Sequence, residues 1–272
     1  MTECVAKLRR RRFDVMADGR RLRVERLEPE RSAPEAPHLV FLHEGLGSID
    51  QWKRFPAALC AATGLPGLVY ERWGFGGSEP LSLPRPRDYL NQEAERALPE
   101  VLEACAITRP LLIGHSDGGT IALLFAAAFP ERPLACITEA AHVFVEEAAL
   151  AGIRAAIAAW RTTDLKARLA KYHGAQVETL FRGWAETWTQ PDFRDWSMVA
   201  ALPAIVCPLL VIQGLDDQYG TPTQVETIVQ QSGGPAEPLL IPGCGHVPHH
   251  EAQSVALQAM SGFVDRIVAG QT

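Results

Sequence analysis

The sequence predicts an α/β fold: a mostly parallel central sheet with helices on both faces, together with an inserted helical cap. The chain has 272 residues, of which 47% are hydrophobic and 21% are charged, so it can bury a large core. Short continuous apolar segments alternate with segments of helical spacing, as in parallel sheets covered on both faces. The alternation stops for roughly 60 residues and then resumes, which indicates an insertion far longer than an ordinary connection.

The predicted sheet begins with a hairpin. Residues 13–17 and 21–27 flank Asp18-Gly19, a dipeptide typical of tight hairpin turns. The later predicted strands are 38–43, 67–72, 110–114, 134–138, 207–214 and 237–242. The predicted helices of the same part are 51–63, 88–106, 120–129, 223–231 and a last helix that ends near Val268.

The insertion is predicted to be a helical cap over residues 142–200, and the α/β core is predicted to cover 1–141 and 201–272. The inserted segment has helical spacing and no strand pattern. It also holds four of the six tryptophans, namely Trp160, Trp184, Trp188 and Trp196. Insertions of this length often form lids or binding elements, so this segment is a candidate to cover a site.

Charge and cysteine content exclude several classes of function. The net charge of -6 and the pI near 5.8 argue against a nucleic-acid partner. The basic run at 9–12 is interpreted as the solvated start of a strand. No two of the six cysteines form a C-x-x-C pair, so neither a zinc ribbon nor a redox motif is expected. We expect a reducing, cytoplasmic compartment.

No membrane partner is expected from the hydropathy pattern. The first twelve residues lack the apolar core of a signal peptide. The longest uncharged stretch, 196–215, contains Pro203 and Pro208, which would break a spanning helix. The expected partner is a small-molecule substrate, and the sequence leaves the oligomeric state open.

The most specific motif is Gly114-His115-Ser116-Asp117-Gly118, which fits the pattern G-x-S-x-G. An apolar predicted strand leads into it and a predicted helix follows, the strand–turn–helix arrangement of a nucleophile elbow. The alternative is an ordinary glycine-rich turn. We expect Ser116 to be a nucleophile whose side chain is exposed at the tip of the turn.

A serine hydroxyl needs a base, and the base needs an acid that fixes its tautomer. His246 follows the last predicted strand in a glycine-rich loop, whereas His115 is expected to point away from Ser116. Asp216 and Asp217 both follow a buried predicted strand, and at this point either could be the acid. The spacing of His246, His249 and His250 could also hold a metal, but no carboxylate motif accompanies it, so no metal or cofactor is expected.

Four motifs in order resemble the α/β-hydrolase superfamily over nearly the whole chain. They are 43–48 (HEGLGS), 71–78 (ERWGFGGS), 114–119 (GHSDGG) and the two loops with the aspartates and His246. The resemblance implies the α/β-hydrolase fold and selects Asp217, which lies three positions after Gly214, as the acid.

The resemblance also implies an oxyanion hole made from backbone N–H groups. One would come from Asp117, and the other from Gly45 or Leu46, with Gly45 preferred. The sequence departs from the family pattern at Glu44, where glycine is common, and at Trp73, where arginine is common. We expect the loop around Trp73 to be structural.

The pocket candidates are Glu44, Leu46, Trp184 and Trp188, and all but Leu46 have a plainer alternative. Asp117 and Glu44 could select a positively charged substrate, or they could be paired with arginines such as Arg72 or solvated. Trp184 and Trp188, spaced i, i+4, could line an acyl or alcohol pocket or could only fill the cap core. Leu46 is included with this group.

The sequence therefore predicts a cofactor-free serine hydrolase that cleaves small or aromatic carboxylic esters or thioesters through an acyl-enzyme. Carbon–carbon bond hydrolases and perhydrolases of the same fold are the alternative enzymes. A ligand-binding or signalling protein on a hydrolase fold is the alternative outside enzymes. A serine nucleophile argues against epoxide hydrolases and haloalkane dehalogenases of this fold, which use aspartate there.

Overall fold

A computed structural model describes residues 8–30, 33 and 35–270. The predicted termini of the core, and Cys4, lie outside these residues. The hairpin and every later predicted strand are present, with small shifts at their ends. The strands are β1 (Leu8–Ala17), β2 (Arg20–Pro29), β3 (His38–Leu42), β4 (Gly67–Tyr70), β5 (Pro110–His115), β6 (Ala135–Glu139), β7 (Leu209–Gly214) and β8 (Ala236–Ile241).

The eight strands form one sheet in the order β1-β2-β4-β3-β5-β6-β7-β8. β1 and β2 pair antiparallel, as do β2 and β4, and all the other neighbours are parallel. The antiparallel hairpin therefore lies at one edge of a parallel sheet. This architecture confirms the mostly parallel fold that the alternating sequence pattern predicts.

Ten α-helices, some of them short, connect or follow these strands in the described chain. They are α1 (Phe55–Thr63), α2 (Tyr89–Gln92), α3 (Leu98–Ala104), α4 (Asp117–Ala128), α5 (Glu147–Thr162), α6 (Leu165–His173), α7 (Val177–Thr189), α8 (Pro222–Gln231), α9 (Pro248–Glu251) and α10 (Gln253–Ala269).

Two predicted helices are less regular than their sequences suggest. The segment 51–63 was expected to be one helix, but Lys53 adopts φ 54° and separates a 3₁₀ turn from α1. A positive φ is outside the right-handed helical region, so the helix cannot run through this residue. The segment 88–106 contains a π-helical turn, Glu93–Ala97, between α2 and α3.

The core lies on both faces of the sheet because side chains of a strand alternate in direction. Leu39 and Phe41 of β3 belong to the cluster packed against α1 and α10. Val40 and Leu42 of the same strand belong to the opposite cluster, which includes α3 and α4. A central strand buried on both sides explains why its sequence is a continuous apolar run.

Three helices, α5, α6 and α7, are inserted between β6 and β7, and we call them the cap helices. The two chain segments that lead to and from them meet at a single bridge between Phe144 and Ser197. His173 at the end of α6 also connects the cap to the core. Its Nδ1 accepts a hydrogen bond from the N–H of Gly76 at 3.0 Å, and its Nε2 donates to the carbonyl of Leu46 at 2.9 Å.

Neither disulfides nor membrane spans are found in the described chain. The cysteines at positions 60, 105, 136, 207 and 244 are free thiols. No helix within residues 8–30, 33 and 35–270 combines the length and the apolar character needed to cross a bilayer.

The close approach of α4 to β3 depends on Gly118, and this contact provides a test of the fold. A Cβ at Gly118 would fall under 3.0 Å from the backbone carbonyl of Leu42, which cannot move without disturbing the strand. We expect Gly118→Ala to lower the free energy of unfolding by about 1–3 kcal/mol, the usual cost of overpacking.

Gly262→Ala in α10 is the matched control, because a Cβ there meets nothing within 4 Å. Alanine is favoured over glycine inside a helix, so this variant should gain about 1 kcal/mol. Thermal unfolding followed by circular dichroism measures both changes. Equal unfolding midpoints for the two variants would contradict the packing described for Gly118.

Candidate active site

Ser116 occupies a sharp turn between β5 and α4. Its backbone has φ 54° and ψ -118°, a conformation that non-glycine residues rarely adopt. The N–H of Ser116 donates to the carbonyl of Glu139 on the neighbouring strand at 2.8 Å. A Cβ at Gly114 would collide with the backbone of Gly118, so the turn closes only because glycine precedes and follows the serine. The side chain of Ser116 is thereby held at the carboxyl edge of the sheet.

His246 and Asp217 are in direct contact, although 29 positions separate them in the sequence. Nδ1 of His246 lies 2.9 Å from both carboxylate oxygens of Asp217. A carboxylate only accepts hydrogen bonds, so Nδ1 carries the hydrogen and Nε2 of the neutral ring is left as an acceptor. Asp217 also accepts the backbone N–H of Tyr219 at 2.8 Å. This arrangement fixes the tautomer that a general base requires.

The local environment favours a neutral imidazole beside a charged carboxylate. Burial lowers the pKa of His246 below 6.5, and the opposing effect of Asp217 does not restore it. Burial would raise the pKa of Asp217, but the hydrogen bond and charge of His246 and the N–H of Tyr219 bring it below 3.8. At neutral pH His246 can therefore accept a proton while Asp217 remains ionised.

The two adjacent aspartates have different environments. The side chain of Asp217 is fully buried against His246, whereas Asp216 is exposed. The backbone N–H of Asp216 donates to the carbonyl of Cys244 at 2.9 Å, which joins the loop after β7 to the loop after β8. Gly214 permits this approach, since a Cβ there would collide with the backbone of Cys244. Asp217 is therefore the one of the pair that reaches the imidazole.

Ser116 and His246 open into one cavity of about 90 Å³. A cavity of about 10–15 Å³ can already hold one water molecule, so this cavity has room for a short acyl group. Both the core loops and the cap helices contribute to its walls. The lining residues are Glu44, Gly45, Leu46, Ser116, Asp117, His142, Ala149, Ile153, Trp184, Trp188, Tyr219 and His246.

The loop after β3 brings Glu44, Gly45 and Leu46 to the cavity beside Asp117, the first residue of α4. The structure thus brings the predicted oxyanion residues together with Ser116. The N–H groups at the first turn of a helix have no helical partners and favour negative charge. Of these loop residues, Gly45 lies directly against the ring of Trp184.

The carboxylate of Glu44 is paired differently from the sequence-based expectation. Its Oε2 lies 3.5 Å from Nδ1 of His115, while Arg72 contacts only the backbone carbonyl of Glu44, at 2.7 Å. Burial would raise the pKa of Glu44, but His115 lowers it well below its usual range. Nε2 of His115 donates to the carbonyl of His246 at 2.7 Å. The His115 ring is not part of the cavity lining, and it connects two loops of the site.

Asp117 is held by a buried network that reaches into the cap. Its Oδ2 accepts a hydrogen bond from the hydroxyl of Tyr89 at 2.8 Å and lies 3.5 Å from Nη1 of Arg72. Nε1 of Trp188 donates to the same tyrosine hydroxyl at 2.9 Å. Burial raises the pKa of Tyr89 well above 10, so its hydroxyl stays protonated. The carboxylate of Asp117 is therefore held in place by the Tyr89 hydroxyl and the Arg72 guanidinium.

Trp184 and Trp188 both line the cavity and are also buried in the packing of the cap. Trp184 is 7% exposed, and its ring lies 5.8 Å from that of Phe181. Trp188 is 3% exposed and packs against Phe193 and Trp196. Each of the two tryptophans therefore both lines the cavity and fills the core of the cap, the two roles that the sequence left open.

Sequence reasoning missed four residues of the cavity wall, of which His142 and Tyr219 are polar. Nε2 of His142 donates to the carbonyl of Tyr219 at 3.1 Å, and the ring of Tyr219 lies 4.7 Å from the ring of His246. Their positions could have identified them, because both follow the carboxyl ends of parallel strands. Ala149 and Ile153 of α5 complete this wall, and nothing in the spacing of α5 distinguishes them.

The remaining candidates have structural contacts. Nδ1 of His249 lies 2.6 Å from Oε2 of Glu139, and Nε2 of His250 donates to the carbonyl of Gln51 at 2.9 Å. Within residues 8–30, 33 and 35–270, no three His, Cys, Asp or Glu side chains are grouped to hold a metal ion. Nε1 of Trp73 donates to the carbonyl of Pro80, and Arg20 stacks on its ring at 3.8 Å.

Comparison with known proteins gives a family match and several structures of similar fold. A model of the alpha/beta hydrolase family matches residues 39–259. Serine hydrolase BPHL of Mus musculus is 26% identical over 155 residues, which are 55% of this chain and 53% of that protein. The chain thus spans about half the length of the curated relatives it matches.

Two solved structures show the same fold over nearly the whole chain. A bacterial membrane phospholipase A has a TM-score of 0.75 at 23% identity, covering 95% of this chain and 86% of its own. The enol-lactonase from Burkholderia xenovorans LB400 has a TM-score of 0.73 at 20% identity, covering 93% of this chain and 100% of its own.

The lowered pKa of His246 gives a testable pH dependence. If His246 acts as a base it must be neutral in the free enzyme, so kcat/KM for an ester should fall on the acid side. Because burial lowers this pKa, the midpoint of the fall should lie below 6.5. Initial rates on one chromogenic ester from pH 4.5 to 9 measure it. A midpoint above 6.5, or a flat profile, would contradict the assignment.

Proposed function

The chain belongs to the alpha/beta hydrolase family, and from this premise we propose that it is a serine hydrolase that cleaves small or aromatic carboxylic esters or thioesters through an acyl-enzyme. The observation that carries the proposal is the buried hydrogen bond between Asp217 and His246, beside a cavity that also contains Ser116. This combination supplies a nucleophile, a base of fixed tautomer and an acid in one place.

In the proposed reaction, Oγ of Ser116 attacks the carbonyl carbon and Nε2 of His246 takes the hydroxyl proton. The tetrahedral intermediate collapses, the alcohol or thiol leaves with the proton from His246, and the acyl group remains on Ser116. A water molecule then attacks the acyl-enzyme while His246 again accepts a proton. His246 passes this proton to Oγ of Ser116 as the acid is released, which restores the serine. Asp217 stabilises the transient imidazolium throughout.

The negative charge that develops on the carbonyl oxygen needs donors that are already in place. We assign this role to the backbone N–H of Asp117 and to that of Gly45, with Leu46 as the alternative for the second donor. The assignment is supported by the position of Asp117 at the start of α4 and of both loop residues on the cavity wall. The buried contacts of Asp117 with Tyr89 and Arg72 keep this part of the elbow in place.

The cavity supports a preference for short acyl groups. Its volume of about 90 Å³ is small, and Trp184, Trp188, Tyr219 and Ile153 give it a largely apolar wall. An aromatic ring could be carried by the leaving group, outside this cavity. A cytoplasmic location is also part of the proposal, and it is supported by the free thiols of the five described cysteines.

Replacement of the nucleophile tests the proposal. Ser116→Ala should lower kcat on chromogenic esters by about 10⁴-fold or more and should abolish labelling by a fluorophosphonate. Ser261→Ala, on the surface helix α10, is the control and should retain both. Turnover or labelling by Ser116→Ala at the level of the control would contradict the proposed nucleophile.

The same experiment should include product analysis on a panel of esters and thioesters of increasing acyl length. Stoichiometric release of acid and alcohol or thiol over many turnovers is the expected result. A single turnover, or none with any member of the panel, would instead favour a ligand-binding protein on this fold.

A further inference from the structure

We propose that the indole N–H of Trp184 binds an uncharged oxygen of the acyl group, next to the scissile carbonyl, and so selects short acyl groups that carry such an oxygen. The expected substrates are esters or thioesters of 2-alkoxy, 2-hydroxy or 2-oxo acids. This inference rests on the proposed function and specifies its substrate class.

The ring of Trp184 has its N–H edge against the oxyanion loop. Trp184 lines the cavity, and its N–H edge is the part that lies against the oxyanion loop. A Cβ at Gly45 would be 2.5 Å from Nε1 and 2.6 Å from Cδ1 of Trp184. The polar edge of the indole is therefore directed at the loop that is proposed to bind the carbonyl oxygen.

The N–H of Trp184 has no acceptor among the described residues, although the residue as a whole is only 7% exposed. The hydrogen bonds of the described side chains include none from Nε1 of Trp184. In contrast, Nε1 of Trp188, one turn later on α7 and in the same cavity, donates to the hydroxyl of Tyr89 at 2.9 Å. Nε1 of Trp184 is not among the fully buried side-chain atoms that lack a partner, so it is accessible from the cavity, and an indole N–H can only donate. An oxygen of a bound substrate would satisfy it.

A missing partner alone would not identify a ligand site, as Trp52 shows. Its Nε1 is also unpaired, but this ring lies in the core between Phe41 and His249 and does not line the cavity. Trp184 differs because it lines the cavity that contains Ser116, and its Nε1 is not fully buried as that of Trp52 is.

The oxygen that binds this N–H must lie close to the scissile carbonyl of the substrate. The carbonyl carbon has to reach Ser116 and its oxygen has to reach the N–H groups of Asp117 and Gly45. The Trp184 N–H, which lies beside Gly45, is then close to this carbonyl. The substrate atom that it meets is therefore only one or two bonds from the carbonyl carbon.

The neighbouring charge favours an uncharged oxygen. Oδ2 of Asp117 lies 3.4 Å from the same Cβ position at Gly45. A carboxylate on the substrate would therefore approach a like charge, whereas an ether, hydroxyl or ketone oxygen would not.

The test uses two acyl groups of nearly the same size and shape, methoxyacetyl and butyryl, as their 4-nitrophenyl esters. The quantity measured is the ratio of kcat/KM for methoxyacetate to kcat/KM for butyrate. Trp184→Phe keeps an aromatic ring but removes the N–H together with part of the indole. The loss of ring volume affects both acyl groups alike, whereas the loss of the N–H affects only methoxyacetate. The ratio should therefore fall about tenfold from the unmodified enzyme, which is the effect of one hydrogen bond of about 1.4 kcal/mol. The intrinsic reactivity of the two esters cancels in the comparison between proteins.

Trp188→Phe is the matched control, because it removes an N–H that is already bonded to Tyr89. Whatever its effect on the two rates, their ratio should stay within about twofold of the unmodified enzyme. An unchanged ratio in Trp184→Phe, or an equal fall in both variants, would overturn the inference. Circular dichroism confirms that each variant is folded.

Failure of the proposed function would give a different result, namely no turnover of either ester by the unmodified enzyme. In that case the affinity of a ligand is measured in place of turnover. The unreactive ketones 1-methoxypropan-2-one and pentan-2-one are titrated into Ser116→Ala, and their binding is followed by NMR. Tighter binding of the methoxy ketone that is lost in the Ser116→Ala, Trp184→Phe double variant would support the role of the N–H. Equal binding of the two ketones to Ser116→Ala would overturn it.

Discussion

The buried hydrogen bond between Asp217 and His246 is the interaction on which the site depends. A carboxylate without exposure to solvent is stable only if its charge is satisfied, and Asp217 meets this need with the imidazole and the N–H of Tyr219. The same contact directs Nε2 of His246 away from the acid. The loops after β7 and β8 must therefore keep a fixed distance, which their backbone contact at Gly214 enforces.

The elbow at Ser116 is strained, and the surrounding structure compensates for the strain. A non-glycine residue at φ 54° persists because β5, α4 and the neighbouring strand are packed tightly around it. The contacts of Asp117 with Tyr89 and Arg72 add a buried charge network directly behind the turn. Since Trp188 donates to Tyr89, a residue of the cap is coupled to the backbone that is proposed to bind the oxyanion. The position of the cap therefore bears on the geometry at Ser116.

Much of this arrangement could be predicted because its signals are local. Apolar runs define the strands, and the glycines around Ser116 identify the turn. Other features could not be predicted because they depend on which distant segments pack together. The pairing of Glu44 with His115 is one example, and the positive φ of Lys53, which delays the start of the predicted helix 51–63 to Phe55, is another. His142 and Tyr219 were missed since a short loop does not reveal which of its side chains turns inward, even when its strand is known. The bounds 142–200 for the cap, and the catalytic roles assigned from the resemblance, remain predictions.

Asp217 and Asp216 are adjacent residues that differ in geometry and hardly at all in charge, so replacing each in turn tests the role of the buried pair. Asp217→Asn should lower kcat/KM on one chromogenic ester by at least roughly 10³-fold, because an amide favours the wrong tautomer of His246 and removes the counter-charge of the imidazolium. Asp216→Asn, at an exposed side chain, should stay within about tenfold of the unmodified enzyme. Both variants should be folded by circular dichroism. A reversed ranking would move the acid to Asp216, and near-normal rates for both would contradict the claim that the buried Asp217–His246 pair drives the reaction.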